Sequence, residues 1–177
     1  MRILSNFCVF MIALSTACVA QDSTRSDFEE WTELSKGRWV GKMVLVADWP
    51  GFGKKGDKVT AYEEAALIEG GKALLTKQMS GNATSTTITY FDAGTNEIRL
   101  VSVGSAGNVF AGVISKRSAD RWSFKASGSI TSGEKVEGDL TVTISNGGET
   151  QTWTGDLKID GKPSDPLNDV WMRTGKN

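Results

Sequence analysis

The stretch KVEGDLTVTIS, residues 135–145, sets Val136, Gly138, Leu140, Val142 and Ile144 against Lys135, Glu137, Asp139, Thr141 and Thr143. A period of two residues is that of a strand with one dry and one wet face, the pattern of an antiparallel sheet. A strand buried on both faces in a parallel sheet would read as an unbroken apolar run. The neighbouring stretches keep the same rhythm. Trp122, Phe124 and Ala126 alternate with Ser123, Lys125 and Ser127, and Trp153, Gly155, Leu157 and Ile159 alternate with Thr152, Thr154, Asp156 and Lys158.

Extended outward, the pattern predicts about ten strands, at 39–48, 59–69, 72–80, 84–91, 97–104, 108–117, 121–129, 135–145, 149–159 and 168–174. The breaks between them are Gly70-Gly71, Gly81-Asn82, Asp92 to Asn96, Gly107-Asn108, Asn146-Gly147 and Asp160-Gly161. These residue types tolerate the positive φ of tight hairpins. Consecutive strands joined by such turns form an up-and-down meander, and closing it into a barrel removes the exposed edges. The expected fold is therefore all-β, an antiparallel barrel of 8–10 strands. One short helix precedes it: Ser26-Asp27-Phe28-Glu29 has the form of a capping box, and Phe28, Trp31 and Leu34 share a face over 27–36, with Gly37 as the stop.

One motif argues for another class. GFGKKG at 51–56 matches G-x-G-x-x-G and follows the apolar run MVLVA at 43–47. A dinucleotide fingerprint needs a helix after the glycines and an acid at the end of a second strand, about twenty residues on. Position 76 is a threonine, and the intervening KVTAYEEAALIEGG ends in a glycine pair followed at once by ALLTKQMS, which suits a hairpin. The segment Trp49 to Gly56 is instead expected to be a long loop across one barrel mouth, with Trp49 and Phe52 as its apolar tip.

The N-terminus has the layout of a secretory signal: Arg2, an apolar stretch from Phe7 to Leu14, then small residues up to Ala20. Cleavage after Ala20 gives a signal peptide at 1–20 and a barrel domain at 21–177, secreted or periplasmic. A rival processing route takes Ser15-Thr16-Ala17-Cys18 as a lipobox, with Cys18 as a lipid anchor. The mature chain of 157 residues then has no cysteine, no histidine and 19 basic against 21 acidic residues, a net charge of −2. Imidazole metal sites and Ser-His or Cys-His nucleophile pairs are thereby excluded. The mixed charge offers no nucleic-acid surface. No apolar run is long enough for a membrane-spanning helix. The wet faces carry Lys42, Lys125, Glu137, Asp139 and Lys158, which argue against a lipid-facing barrel.

Other chemistry is sparse. Ser132-Gly133-Glu134-Lys135 has S-x-x-K spacing but falls in a hairpin turn, and Glu63 and Glu64, being adjacent on a strand, point to opposite faces. Asp156 to Asp160 lacks calcium-loop spacing. Asn82-Ala83-Thr84 is a glycosylation sequon with meaning only in a eukaryotic secretory pathway. No catalytic residue, metal ligand or cofactor is implied.

The helix followed by Gly37-Arg38-Trp39 resembles the G-x-W signature of lipocalins. The resemblance implies that Trp39 closes one barrel end, with Arg173 of DVWMR stacked over it. YFDAGTNEIR, GNVFAG, DRWSFKASG, TWTG and IDGKP look like the lipocalin-like (calycin-like) domains of bacterial secreted proteins, which implies a fold and a compartment but no catalytic set. The T-D-Y element, the disulfide and the long C-terminal helix of true lipocalins are absent. The expected function is binding of a small hydrophobic or amphipathic molecule, with Trp39, Tyr62, Gln78, Tyr90, Arg99, Trp122 and Trp153 as candidate ligand contacts. The alternatives are a filled barrel acting as a structural or interaction protein of the cell envelope and, third, a histidine-free hydrolase.

Overall fold

A computed structural model describes residues 22–175 of the 177-residue chain. The signal peptide and Cys18 readings lie outside the described residues. After one helix, α1 (Arg25–Ser35), the chain runs through β1 (Gly37–Val44), β2 (Lys58–Ile68), β3 (Ala73–Ser80), β4 (Ala83–Asp92), β5 (Glu97–Gly104) and β6 (Val109–Lys116). It continues through β7 (Arg121–Ser129), β8 (Lys135–Ser145), β9 (Thr150–Ile159), the two-residue β10 (Lys162–Pro163) and β11 (Leu167–Gly175). Each long strand pairs antiparallel with its sequence neighbours; β9 also pairs with β11, and β11 with β1, so ten strands close into a barrel.

Closure follows from the turns. Asp160 and Gly161 take φ of 48° and 75°, and Asn146 and Gly147 take 52° and 66°, conformations that residues with larger side chains adopt only at a cost. The strand register then sends the alternating apolar residues inward. On β8 the inward set is Val136, Leu140, Val142 and Ile144, all buried, while Lys135, Glu137 and Asp139 remain exposed.

The structure corrects the sequence reading at the helix cap and at the end of β1. The helix starts at Arg25, and its cap is Thr24 rather than Ser26. The Thr24 hydroxyl accepts from the Asp27 amide at 3.1 Å, and the Asp27 carboxylate accepts from the Thr24 amide at 2.8 Å. Aspartate thus takes the return role assigned to Glu29, and Ser26 falls inside the first turn. Likewise β1 ends at Val44 and not at 48, because the Leu45 amide and carbonyl bond Asp57 and Gly56 and turn the chain across the barrel.

The two barrel ends differ. β1 starts and β11 ends beside α1, whose Phe28 and Trp31 sit in a cluster with Ile98, Leu100, Ile114, Trp122, Val142 and Ile144. Trp31 meets Trp122 with ring centroids 5.2 Å apart. This end is plugged. The opposite end carries the loop 45–57 between β1 and β2 and the turns after β3, β5 and β7.

Candidate ligand-binding site

Within the strands, the inward positions of neighbouring strands enclose a cavity of about 320 Å³. Its walls are of two kinds. On β2 to β5 they are mostly polar, Glu63, Thr76, Gln78, Thr87 and Ser102 with Leu74 and Leu100; on β6 to β11 they are mostly apolar, with Phe110, Phe124, Leu140, Trp153 and Trp171 beside Gln151 and Asp169. The cause is a shift in which residues fill the inward positions: β4 offers Ser85, Thr87 and Thr89, whereas β8 offers only apolar residues and glycine. Within the polar wall the groups partly satisfy one another. The Thr87 hydroxyl donates to Ser102 Oγ at 2.8 Å, and Gln78 Nε2 donates to Ser80 Oγ at 2.7 Å.

Small residues make room for the aromatic wall. Gly41 lies under the Trp171 indole, where an added Cβ would come within 2.7 Å of ring carbons, and Gly112 lies under Phe124 in the same way. Toward the mouth a second space of about 240 Å³ adjoins the first, with Gln78, Phe110, Leu167 and Asp169 in both walls. Trp49 and Phe52 line this mouth, and Trp49 meets the edge of Phe110 at 5.9 Å between centroids. GFGKKG belongs to this loop and leads directly into β2, with no helix behind it.

The residues singled out from the sequence separate into three groups. Trp39, Gln78 and Trp153 line the cavity. Trp122 is completely buried in the plug beneath it. Tyr62, Tyr90 and Arg99 project from the outer surface: Tyr62 is exposed, and Arg99 pairs with Glu97 at 2.7 Å and with Asp92 at 3.4 Å. Tyr90 and Arg99 are cross-strand partners in an external groove. Their parity opposes that of Thr89 and Ile98, which are buried.

At the closed end the Arg173 guanidinium carbon lies 4.2 Å from the Trp39 ring centroid. Arg173 also donates to the Leu34 carbonyl at 2.9 Å, to the Lys36 carbonyl, and to the Gly148 carbonyl at 3.1 Å. Trp39 Nε1 donates to the Ser35 carbonyl at 2.8 Å. The arginine and the tryptophan thus satisfy the last carbonyls of α1 and fasten the plug to the barrel wall.

Two carboxyls outside the candidate ligand contacts face inward. Glu63 sits between Trp39 on β1 and Gln78 on β3, facing the cavity, and burial pushes it up to about 7. Asp169, 6% exposed, faces the cavity and mouth from β11; burial raises it to about 6, opposed by a hydrogen bond from the Val44 backbone. The signal was present in strand parity. Glu63 falls in step with buried Ala61 and Ala65, and Asp169 in step with Trp171. Hydrophobic alternation hides such residues because a carboxylate at an inward position looks like a break in the pattern.

Among the described residues no three histidine, cysteine or acidic side chains come together as a metal site, and no helix is long and apolar enough to cross a membrane. Ser132 donates to Glu134 at 2.6 Å within the β7–β8 turn, and Lys135 is exposed. No family model matches the chain, and no curated protein matches it. Among solved structures it is similar to a Bacteroides fragilis crystal structure described as "a putative outer membrane protein", at 8% identity and a TM-score of 0.25, over 81% of this chain and 99% of that one. A likeness at that level carries no argument about function.

Proposed function

We propose that this chain is an exported lipocalin-like barrel that holds one small apolar or amphipathic molecule in its lumen. The observation that carries the reading is the cavity of about 320 Å³, mostly polar along β2 to β5 and mostly apolar and aromatic along β6 to β11. Small-molecule sites are concave, mostly apolar and furnished with a few placed polar groups, within roughly 300 to 1,000 Å³. Barrels of this strand number can be filled by side chains or can leave room for one ligand. Gln78, Trp39 and Trp153 are the residues named from the sequence that would touch it. Export rests on the layout of residues 1–20. It predicts a mature N-terminus at Gln21, or a lipid-modified Cys18 under the rival route.

Native mass spectrometry of gently purified protein, paired with tryptophan emission under a lipophilic dye, tests the binding. A mass increment removed by organic extraction, together with a dye-dependent change in emission, is the expected result. A bare polypeptide mass with unchanged emission would overturn it in favour of a structural barrel.

A further inference from the structure

Every charged side chain on the cavity wall is acidic. The described residues lining it include Glu63 and Asp169, and no lysine or arginine among them. Neither carboxyl has a cationic partner: burial is the sole influence on Glu63, and Asp169 has only the Val44 backbone hydrogen bond besides. The elements packed against Glu63 present Trp39 and Gln78, and those against Asp169 belong to β1 and β9, whose inward neighbours are Met43 and Trp153. Of the cations on the same strands, Arg38, Lys42, Lys58, Lys77 and Lys158 occupy outward positions; Arg173 on β11 is in inward register but is held at the closed end by the Leu34, Lys36 and Gly148 carbonyls and the Trp39 ring. Burying an uncompensated carboxylate is costly, and such groups are ordinarily paired. Here two of them face one recessed space whose remaining surface includes several indole faces, which attract cations.

We infer that the cavity takes a small organic cation, an ammonium group carried on an aliphatic or aromatic body, with Glu63 and Asp169 as its counter-charges and the tryptophans of the wall as its cover. This rests on the proposed ligand-binding role and narrows it to one charge class. The ammonium donates to one of the two carboxylates, its body lies against Phe124, Trp153 and Trp171, and Gln78 and Thr87 offer further polar contacts. Because burial raises both carboxyls toward neutrality, each carries a proton over part of the range below pH 7 in the empty protein. A bound cation favours the ionised forms, so its entry near pH 6.5 releases protons, whereas a neutral ligand releases none.

The test is calorimetric titration of the purified full chain with octylammonium, 1-octanol and octanoate at pH 8, repeated at pH 5 and, near pH 6.5, in buffers of differing ionisation heat. The expected result at pH 8 is octylammonium at least tenfold tighter than octanol and octanoate weakest, with the preference shrinking at pH 5 and proton release seen only with the amine. Glu63→Gln and Asp169→Asn should each narrow the amine-to-alcohol ratio at pH 8. If either variant fails to fold, the pH comparison on the native chain decides alone. Octanol binding as well as octylammonium, or octanoate binding best, would overturn the cation assignment while leaving the binding barrel intact. Absence of heat with all three would overturn the binding role itself.

Discussion

Glu63 is the residue at which fold and proposed function oppose each other. Its carboxyl ordinarily titrates at 4.5 and is held near 7 in the folded chain, so between those values the native state binds more protons than the unfolded one. Its contribution is therefore fully favourable below pH 4.5 and is lost as pH rises through 7. Glu63→Gln is expected to leave stability at pH 4 nearly unchanged and to raise it at pH 8 by on the order of 2 to 3 kcal/mol, read from urea unfolding at the two pH values. Equal stability changes at both would refute the assignment. Asp169 contributes in the same direction across a window from its ordinary 3.8 to about 6. Arg173 acts oppositely, being almost fully buried and held by three carbonyls and the Trp39 face. Lysine cannot span those partners, so Arg173→Lys is expected to cost about 2 to 3 kcal/mol in denaturant unfolding.

Among the elements, α1 is both lid and core, since Phe28 and Trp31 pack into the main apolar cluster. Trp31 touches Trp122 and Trp153, and its truncation to alanine leaves a void between them that the closed strands cannot collapse. The expected loss is about 3 to 5 kcal/mol, against about 1 kcal/mol for Thr24→Ala at the cap; thermal and denaturant melts of the two variants give the ratio. A smaller loss for Trp31 than for Thr24 would mean that α1 does not plug the barrel. The strands themselves were legible because each is dry on one face only. Observed bounds at 97–104, 121–129 and 135–145 coincide with the alternation, helped at the first and last by turn residues such as Asn96, Gly133 and Asn146. Legibility failed where tertiary bonding overrides local pattern. MVLVA continues as apolar residues past Val44, yet Leu45 and Val46 are buried by folding over the mouth rather than by extending the strand. The capping box lies two residues before the Ser26 pattern because Ser26 and Glu29 have the usual residue types, whereas Thr24 and Asp27 have the geometry.

At the scale of the molecule, one end is sealed by α1, Trp39 and Arg173, the other is bridged by the Trp49 loop, and an unevenly lined space lies between. The sequence carried the inward faces of Trp39, Gln78 and Trp153, because parity on a strand is local information. It did not carry the side of the sheet on which Tyr62, Tyr90 and Arg99 emerge, since polar aromatic residues and arginines occur on either face and only register with buried neighbours decides. Nor did it carry the cavity, which depends on how glycines such as Gly41 and Gly112 trade side-chain volume across the lumen. Filling the space should separate binding from folding: Ala126→Leu, on the inward face of β7, is expected to lower dye affinity at least tenfold while unfolding stays cooperative, as measured by fluorescence titration and melting. The central claim is that the lumen is open, and a crystal pressurised with xenon tests it most directly, since the gas enters enclosed apolar space. An open lumen should hold a xenon site against Phe124, Leu140 and Trp153. A lumen in which those side chains reach across to Thr87 and Gln78, with no xenon between them, would contradict it.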